Sequence, residues 1–406
     1  MSRPRPHGPV AAATALTLVL AACGSSTTSS AGGASATRQP PPKVAMASSL
    51  GPGEGAVNVV AWAGYAEDGT NDPKVDWVHP FEKATGCKVN VKVANTSDEM
   101  VTLMHTGQYD VVSASGDATL RLIYSGDVAP VNTALVPGYS SVFPFLKDRD
   151  WNSVEVNGKR QMYGIPHGWG ANLLMWNTKA VTPAPTSWGA VFEKSSPYRG
   201  KITAYDSPIY IADAALYLMK SRPELGIKNP YSLNQKQFDA AVALLKVQRT
   251  NIGEYWSDYT KAVQAFESGT SVLGTTWQVI TNLIQADKKV AVKAIVPSEG
   301  STGWSDTWMV SSKTKHPTCS YKWMDWIVSP SVNAQVAQWF GEAPAQTKAC
   351  AEPGMKEHCA TFHAEDKAYS DKIWYWTTPT KSCLVGGGND CVDYSKWTQA
   401  WTGIKG

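Results

Sequence analysis

Between Val57 and Ser115 short apolar runs alternate with amphipathic ones, and few folds accept that rhythm. "VNVVAW" from Val57 reads as a strand, and "KVDWVHPFEKATG" carries apolar residues at helical spacing before stopping at Gly86. "CKVNVKV" alternates as a second strand. "NTSDEMVTLMHTG" opens with Thr96 and Glu99 in capping-box relation and closes on Gly107, and "YDVVSAS" is a third strand. A strand and helix recurring every ~25 to 30 residues predicts a mainly parallel sheet covered on both faces. The alternation returns in "GKITAYDS" with "PIYIADAALYLMKS", and in "SVLGTT" with "WQVITNLIQAD". "VAVKAIVP" and "TWMVSS" then read as strands rejoining an earlier sheet.

The segment before this pattern has another chemistry. Arg3 and Arg5 precede an apolar run from Val10 to Ala22, which ends at Cys23. That order is a secretory signal, and its apolar core is too short to span a bilayer. "LAAC", Leu20 to Cys23, resembles the bacterial lipobox, which implies a lipid on Cys23 and a membrane-anchored, extracytoplasmic protein. From Gly24 to Gly55 the chain is rich in Ser, Gly, Ala and Pro and nearly free of large apolar side chains, the composition of a flexible tether. About 350 residues remain, enough for two cores rather than one. The expected organisation is a leader at 1–22 and a lipid-anchor cysteine with tether at 23–55. One lobe is built from 56–168 with 289–328, the other from 169–288 with 329–406, including a cysteine-rich extension.

The formal charge of +3 falls to +1 once Arg3 and Arg5 leave with the leader, and no run of like charge points to nucleic acid. A monomer without cofactor is expected. Seven cysteines are present, and setting Cys23 aside leaves an even number in an exported chain. Six cysteines allow 15 disulfide pairings. Proximity favours Cys350 with Cys359 and Cys383 with Cys391, leaving Cys87 with Cys319. No CxxC or HxxxH pair supports a metal site.

In open α/β sheets ligands sit beyond the carboxyl ends of strands. The residues there are Trp62 and Tyr65, Ser115 and Asp117, Asp206 and Ser207, Trp277 and Gln278, and Trp304 and Asp306. "GWSDTW" sets Trp304, Asp306 and Trp308 on one strand face, two indoles about one carboxylate. An ammonium leaving water needs its charge matched. A carboxylate supplies the match, and indole faces add about 1 kcal/mol each by cation–π attraction. The expectation is Trp304 and Asp306 in a cleft with Trp308 packed deeper. Most of the 17 tryptophans are expected in cores, and His167 near the hinge is expected to pack rather than react.

Several segments together resemble the spermidine/putrescine group of bacterial ABC-transporter solute-binding proteins. They are "VVAWAGY", "FEKATGCKVNV", "YDVVSASGD", "YGIPHGWGANLLMWN", "YRGKITAYDS", "LGTTWQVI" and "GWSDTWMVSS". The resemblance implies a two-lobed periplasmic-binding-protein fold of type II, closure on a small organic cation, and delivery to the transmembrane subunits of a permease. It implies aromatic contacts at Trp62, Tyr65 and Trp277, a hydroxyl at Ser115 and a counter-charge at Asp306. Trp256 and Asp258 fall near a further aromatic site. Where the group places successive acids, this chain has Asp206, Ser207 and Tyr210, and Asp117 stands where a tyrosine is common. The acidic lining is therefore thinner than the group's pattern. A sugar receptor, an exported glycoside hydrolase built on paired carboxylates, and a surface adhesin are the competing classes. No GxSxG or HExxH motif accompanies them.

Overall fold

The computed structural model describes residues 40–385 and 388–406. The leader, Cys23 and the first part of the expected tether lie outside the described residues. Residues 40–55 form no helix or strand, yet they lie against the first lobe instead of hanging free. The Glu54 carboxylate accepts hydrogen bonds from the Thr318 and Cys319 amides at 2.9 and 3.0 Å. Asn132 donates to the Ala47 carbonyl at 3.1 Å, and Leu50 packs on the first core.

Two sheets form the body. In the first, Ala56–Ala61 pairs in parallel with Lys88–Val93 on one side and Val111–Ala114 on the other. The alternation seen in sequence now has a destination. Val57 and Val59 face one core with Phe81 and Trp323, while Val60 faces another with Met100 and Leu122. In the second sheet, Ile202–Tyr205 pairs in parallel with Ile252–Trp256 and Leu273–Thr276. Ile202, Ala204 and Leu273 pack under the helices Ile211–Ser221 and Gln235–Arg249. Phe266, Ile280 and Ile284 cover the other face.

The strands that cross between lobes pair antiparallel with one another and with the units they join. Ile165–Ala171 belongs to the first sheet, and two residues later Leu173–Asn177 belongs to the second. The return is made between Val292–Ile295, in the second sheet, and Ser301–Ser311, in the first. The long strand pairs on one side with Ile165–Ala171 and on the other with Val111–Ala114.

This moves three expected boundaries, the first crossing falling at Asn172 instead of after residue 168. Residues from 289 to the crossing belong with the second lobe, because Val292–Ile295 bonds to Leu173–Asn177. The stretch after 329 returns first to the first lobe: Pro330–Phe340 packs on its core, and Ala343–Pro344 and Ile373–Tyr375 join its sheet. Strands of two or three residues are too short to show a period.

Disulfides join Cys87 to Cys319, Cys350 to Cys359 and Cys383 to Cys391. The extension leaves the first sheet at Tyr375, passes over Gly116 and ends in the helix Tyr394–Lys405 on the second lobe. Thr378 Oγ1 donates to the Gly116 and Asp117 carbonyls at 2.9 and 3.0 Å. A Cβ on Gly116 would stand 1.8 Å from the Trp376 carbonyl oxygen, so only glycine admits this crossing.

The Cys87–Cys319 link spans 232 residues, and closing a loop of that length removes about 5 kcal/mol of unfolded-chain entropy. Replacing both cysteines with serine lowers the unfolding free energy by about 2 to 5 kcal/mol in denaturant titration. The same change at Cys350 and Cys359, only 9 residues apart, costs less. Equal losses would show that loop length is not what the long link contributes.

Candidate functional site

A cavity of about 440 Å³ lies between the two sheets. Its walls come from strand ends of both lobes. Trp62 follows Ala56–Ala61 and Ser115 follows Val111–Ala114; opposite them Tyr205 ends its strand and Trp277 follows Leu273–Thr276. Trp304 and Asp306 enter from the long crossing strand, Phe340 from the end of a first-lobe helix, and Trp376 from the extension.

The aromatic rings form a connected wall. Trp304 meets Trp277 edge-on at 6.2 Å between centroids and Phe340 at 6.0 Å. Tyr205 packs on Trp277 at 5.4 Å and stacks on Trp376 at 5.5 Å. Two backbone features set their positions. Gly170 faces Trp304, and a Cβ there would lie 2.7 Å from the indole. Asn172, between the two crossing strands, accepts the Trp277 indole N–H at 2.9 Å while donating to Thr302 Oγ1 at 2.6 Å. The hinge crossing thereby orients a cavity wall.

Asp306 is the charge of the site. It is 3 % exposed, and its two oxygens accept from the Ser115 hydroxyl at 2.6 Å and the Tyr65 hydroxyl at 2.9 Å. Among the described residues no lysine, arginine or histidine pairs with it. Burial pushes its carboxyl up to about 7, the two hydroxyls pulling downward and the nearby Asp117 adding a little upward.

Tyr65 also stands 2.8 Å from Glu342 Oε2. A phenol has one proton, so it can donate to one carboxylate and must accept from the other. Burial and the nearby Asp306 hold the Glu342 carboxyl well above the carboxylate range, the direction that favours Glu342 as the proton donor of this pair. Tyr65 is then free to donate to Asp306. Gly168 makes room for this layer, since a Cβ there would lie 2.1 Å from the Glu342 carboxyl. His167, pushed down to about 3 by burial, is neutral and meets Ser113 Oγ at 2.8 Å.

The sequence-derived candidates divide into three groups. Trp62, Ser115, Trp277, Trp304 and Asp306 share the cavity, with Asp258 exposed at its rim. Asp258 Oδ1 accepts the Thr260 amide at 2.9 Å and so also caps the helix Tyr259–Glu267. Tyr65 sits one layer behind, and Trp308 is packed deeper, edge-on to Trp323 at 5.7 Å.

The rest lie elsewhere. Tyr210 is inside the second lobe, its hydroxyl accepting from Gln248 at 2.9 Å, because the turn after Ser207 rotates it into the core. Trp256 is buried behind Tyr205 and Trp277 and does not line this cavity. Asp206 is bound to Lys405 at 2.8 Å and to the Trp401 indole N–H at 2.9 Å. Asp117 is buried, accepting from Ser97 at 2.9 Å and Tyr394 at 3.3 Å. Tyr205, Phe340, Trp376, Asn172 and Glu342 were not anticipated. Tyr205 had a signal, standing next to Asp206 at a strand end; Trp376 had none, since nothing local tells that the extension returns to the cleft.

A larger surface groove of about 1070 Å³ lies beside the extension, where Arg121 and Lys381 mix with Asp98 and Asp393. It lacks a convergent set of rings and a buried charge, so the smaller cavity is the better candidate.

Two α/β lobes joined by crossing strands, with a ligand-sized cavity between them, define a solute receptor. The chain belongs to the bacterial extracellular solute-binding protein family, whose profile matches residues 76–363. It is 23 % identical over 265 residues to the spermidine/putrescine-binding periplasmic protein of Escherichia coli K12, covering 64 % of this chain and 71 % of that one. It is equally 23 % identical over 277 residues to the putrescine-binding periplasmic protein SpuD of Pseudomonas aeruginosa, covering 64 % and 72 %. Among solved structures, the spermidine/putrescine substrate-binding protein PotD of Streptococcus pneumoniae superposes with a TM-score of 0.64 at 17 % identity, over 86 % of this chain and 97 % of that one. The glucopine-bound protein MotA of Agrobacterium tumefaciens superposes with 0.62 at 16 %, over 86 % and 99 %.

The raised carboxyl of Asp306 reverses the usual effect of pH on stability. Between its unfolded value near 4 and its folded value of about 7, the native state binds the extra proton, so this contribution to stability is lost as pH rises through that window. Asp306→Asn therefore melts higher than the parent at pH 8 and about equally at pH 4.5, without ligand. A lower melting point at pH 8 would show that the ionised carboxylate stabilises the fold.

Proposed function

We propose that this protein is the extracytoplasmic receptor of an ABC importer, capturing a small organic cation, a polyamine such as putrescine or spermidine or a related amine, by lobe closure. The observation that carries this reading is a buried carboxylate without a cationic partner, enclosed by indole, phenol and phenyl faces. An ammonium drawn against Asp306 supplies the missing charge through charge-assisted hydrogen bonds. Each ring facing it adds about 0.5 to 2 kcal/mol, and each methylene removed from water about 0.8 kcal/mol. The named amine-binding relatives support the same ligand class over a sugar.

The family binds substrates rather than transforming them, which supports a receptor without covalent chemistry. Its partners are the permease subunits that accept the ligand, and it works as a monomer. Anchoring by lipid on Cys23 fits the leader, and no helix among the described residues is long and apolar enough to cross a membrane.

Calorimetric titration with putrescine, spermidine, choline and maltotriose tests the reading. At least one amine binds saturably and the sugar does not; sugar binding without amine binding would overturn it. Asp306→Asn weakens amine binding at least tenfold at pH 8. In the parent protein, affinity falls about tenfold per pH unit below pH 7 as the carboxylate takes up its proton, and Asp306→Asn loses that slope.

A further inference from the structure

The cleft does not end at the aromatic cavity. A second cavity of about 310 Å³ shares Asn95, Tyr205 and Ser257 with the first and is lined by Asp98, Asp117, Asp206 and Lys405, Asp98 being held by Arg121 at 2.6 Å. It is acidic, as a second cation subsite would be, but an ammonium already stands in it. Lys405 Nζ lies 2.8 and 3.1 Å from the two oxygens of Asp206, with the Trp401 indole N–H on the same carboxylate at 2.9 Å. Asp117 is satisfied from the same segment, through the Tyr394 hydroxyl.

The helix Tyr394–Lys405 that carries these groups is seated firmly. Trp397 packs on Phe238 at 5.8 Å, Trp401 on Tyr210 at 5.8 Å, and the Cys383–Cys391 link ties the preceding turn. Trp376, stacked on the Tyr205 that both cavities share, lines the first cavity.

We propose that Lys405 is a tethered cation that occupies the second compartment and thereby sets specificity. The receptor takes one cationic centre, at Asp306, and a second ammonium on the ligand finds its subsite already neutralised. This rests on the cation-receptor reading above and, within it, favours a related amine with one cationic centre over putrescine and spermidine, whose further ammonium groups find no free carboxylate.

The test compares monoamines with α,ω-diamines of matched length, by calorimetry, on the parent protein, Lys405→Met and Lys405→Arg. In the parent and in Lys405→Arg the diamine is no better than the monoamine at any length. In Lys405→Met, which keeps the apolar stem, one range of lengths favours the diamine at least tenfold, and adding Asp206→Asn removes that gain. Asp206→Asn alone leaves monoamine affinity unchanged. A tenfold preference for diamines in the parent protein overturns the proposal, as does an unchanged ratio in Lys405→Met. A role confined to anchoring the helix would move the melting point and leave that ratio alone. If no amine binds any of these proteins, the cation-receptor reading itself falls; amine binding with an unchanged ratio sinks only the tethered cation.

Discussion

A carboxylate kept from water without a counter-charge is the constraint around which the cleft is arranged. Removing Asp306 from solvent costs several kcal/mol unless something answers its charge. Two hydroxyls answer it in part, and Glu342 behind Tyr65, pushed well above the carboxylate range by burial, favours that phenol donating toward Asp306. The rings in front offer a cation what water would have offered. Lobe architecture, glycine placement and the hinge asparagine all serve this arrangement. Gly168 admits Glu342, Gly170 seats Trp304, and Asn172 holds Trp277.

The crossing strands explain why a site built from distant residues can be well defined. Ser301–Ser311 sits at the middle of the first sheet, flanked by the incoming strand and by the third strand of the βαβ unit. A register shift follows Asp306, opposite Gly168, so local geometry there departs from simple alternation. The residue lies on a strand paired on both sides, not on a loop.

Much of this was legible because it is local. Strand periods gave the sheets, and strand ends gave Trp62, Ser115 and Trp277, since parallel strands point their carboxyl ends at a common gap. Trp304 and Asp306, expected at a strand end, lie instead inside the antiparallel strand Ser301–Ser311 and were found by the indole–carboxylate pattern. The misplacements came from tertiary decisions that leave no local trace. Tyr210 turns inward because the turn after Ser207 seats it in the second core, and Trp256 is buried because Tyr205 and Trp277 cover it. Asp206 looked available because its partner, Lys405, lies 199 residues away in sequence. The lobe boundaries shifted for a similar reason, as strands of two or three residues carry no period to read.

The Cys87–Cys319 link holds a further consequence. Both ends lie in the first lobe, and the entire second sheet, from Leu173 to Ile295, falls within the loop they close. A protease that cuts any single exposed turn of that excursion severs the backbone without releasing a fragment. In an oxidising compartment the nicked receptor stays one covalent molecule, its damage visible only after reduction.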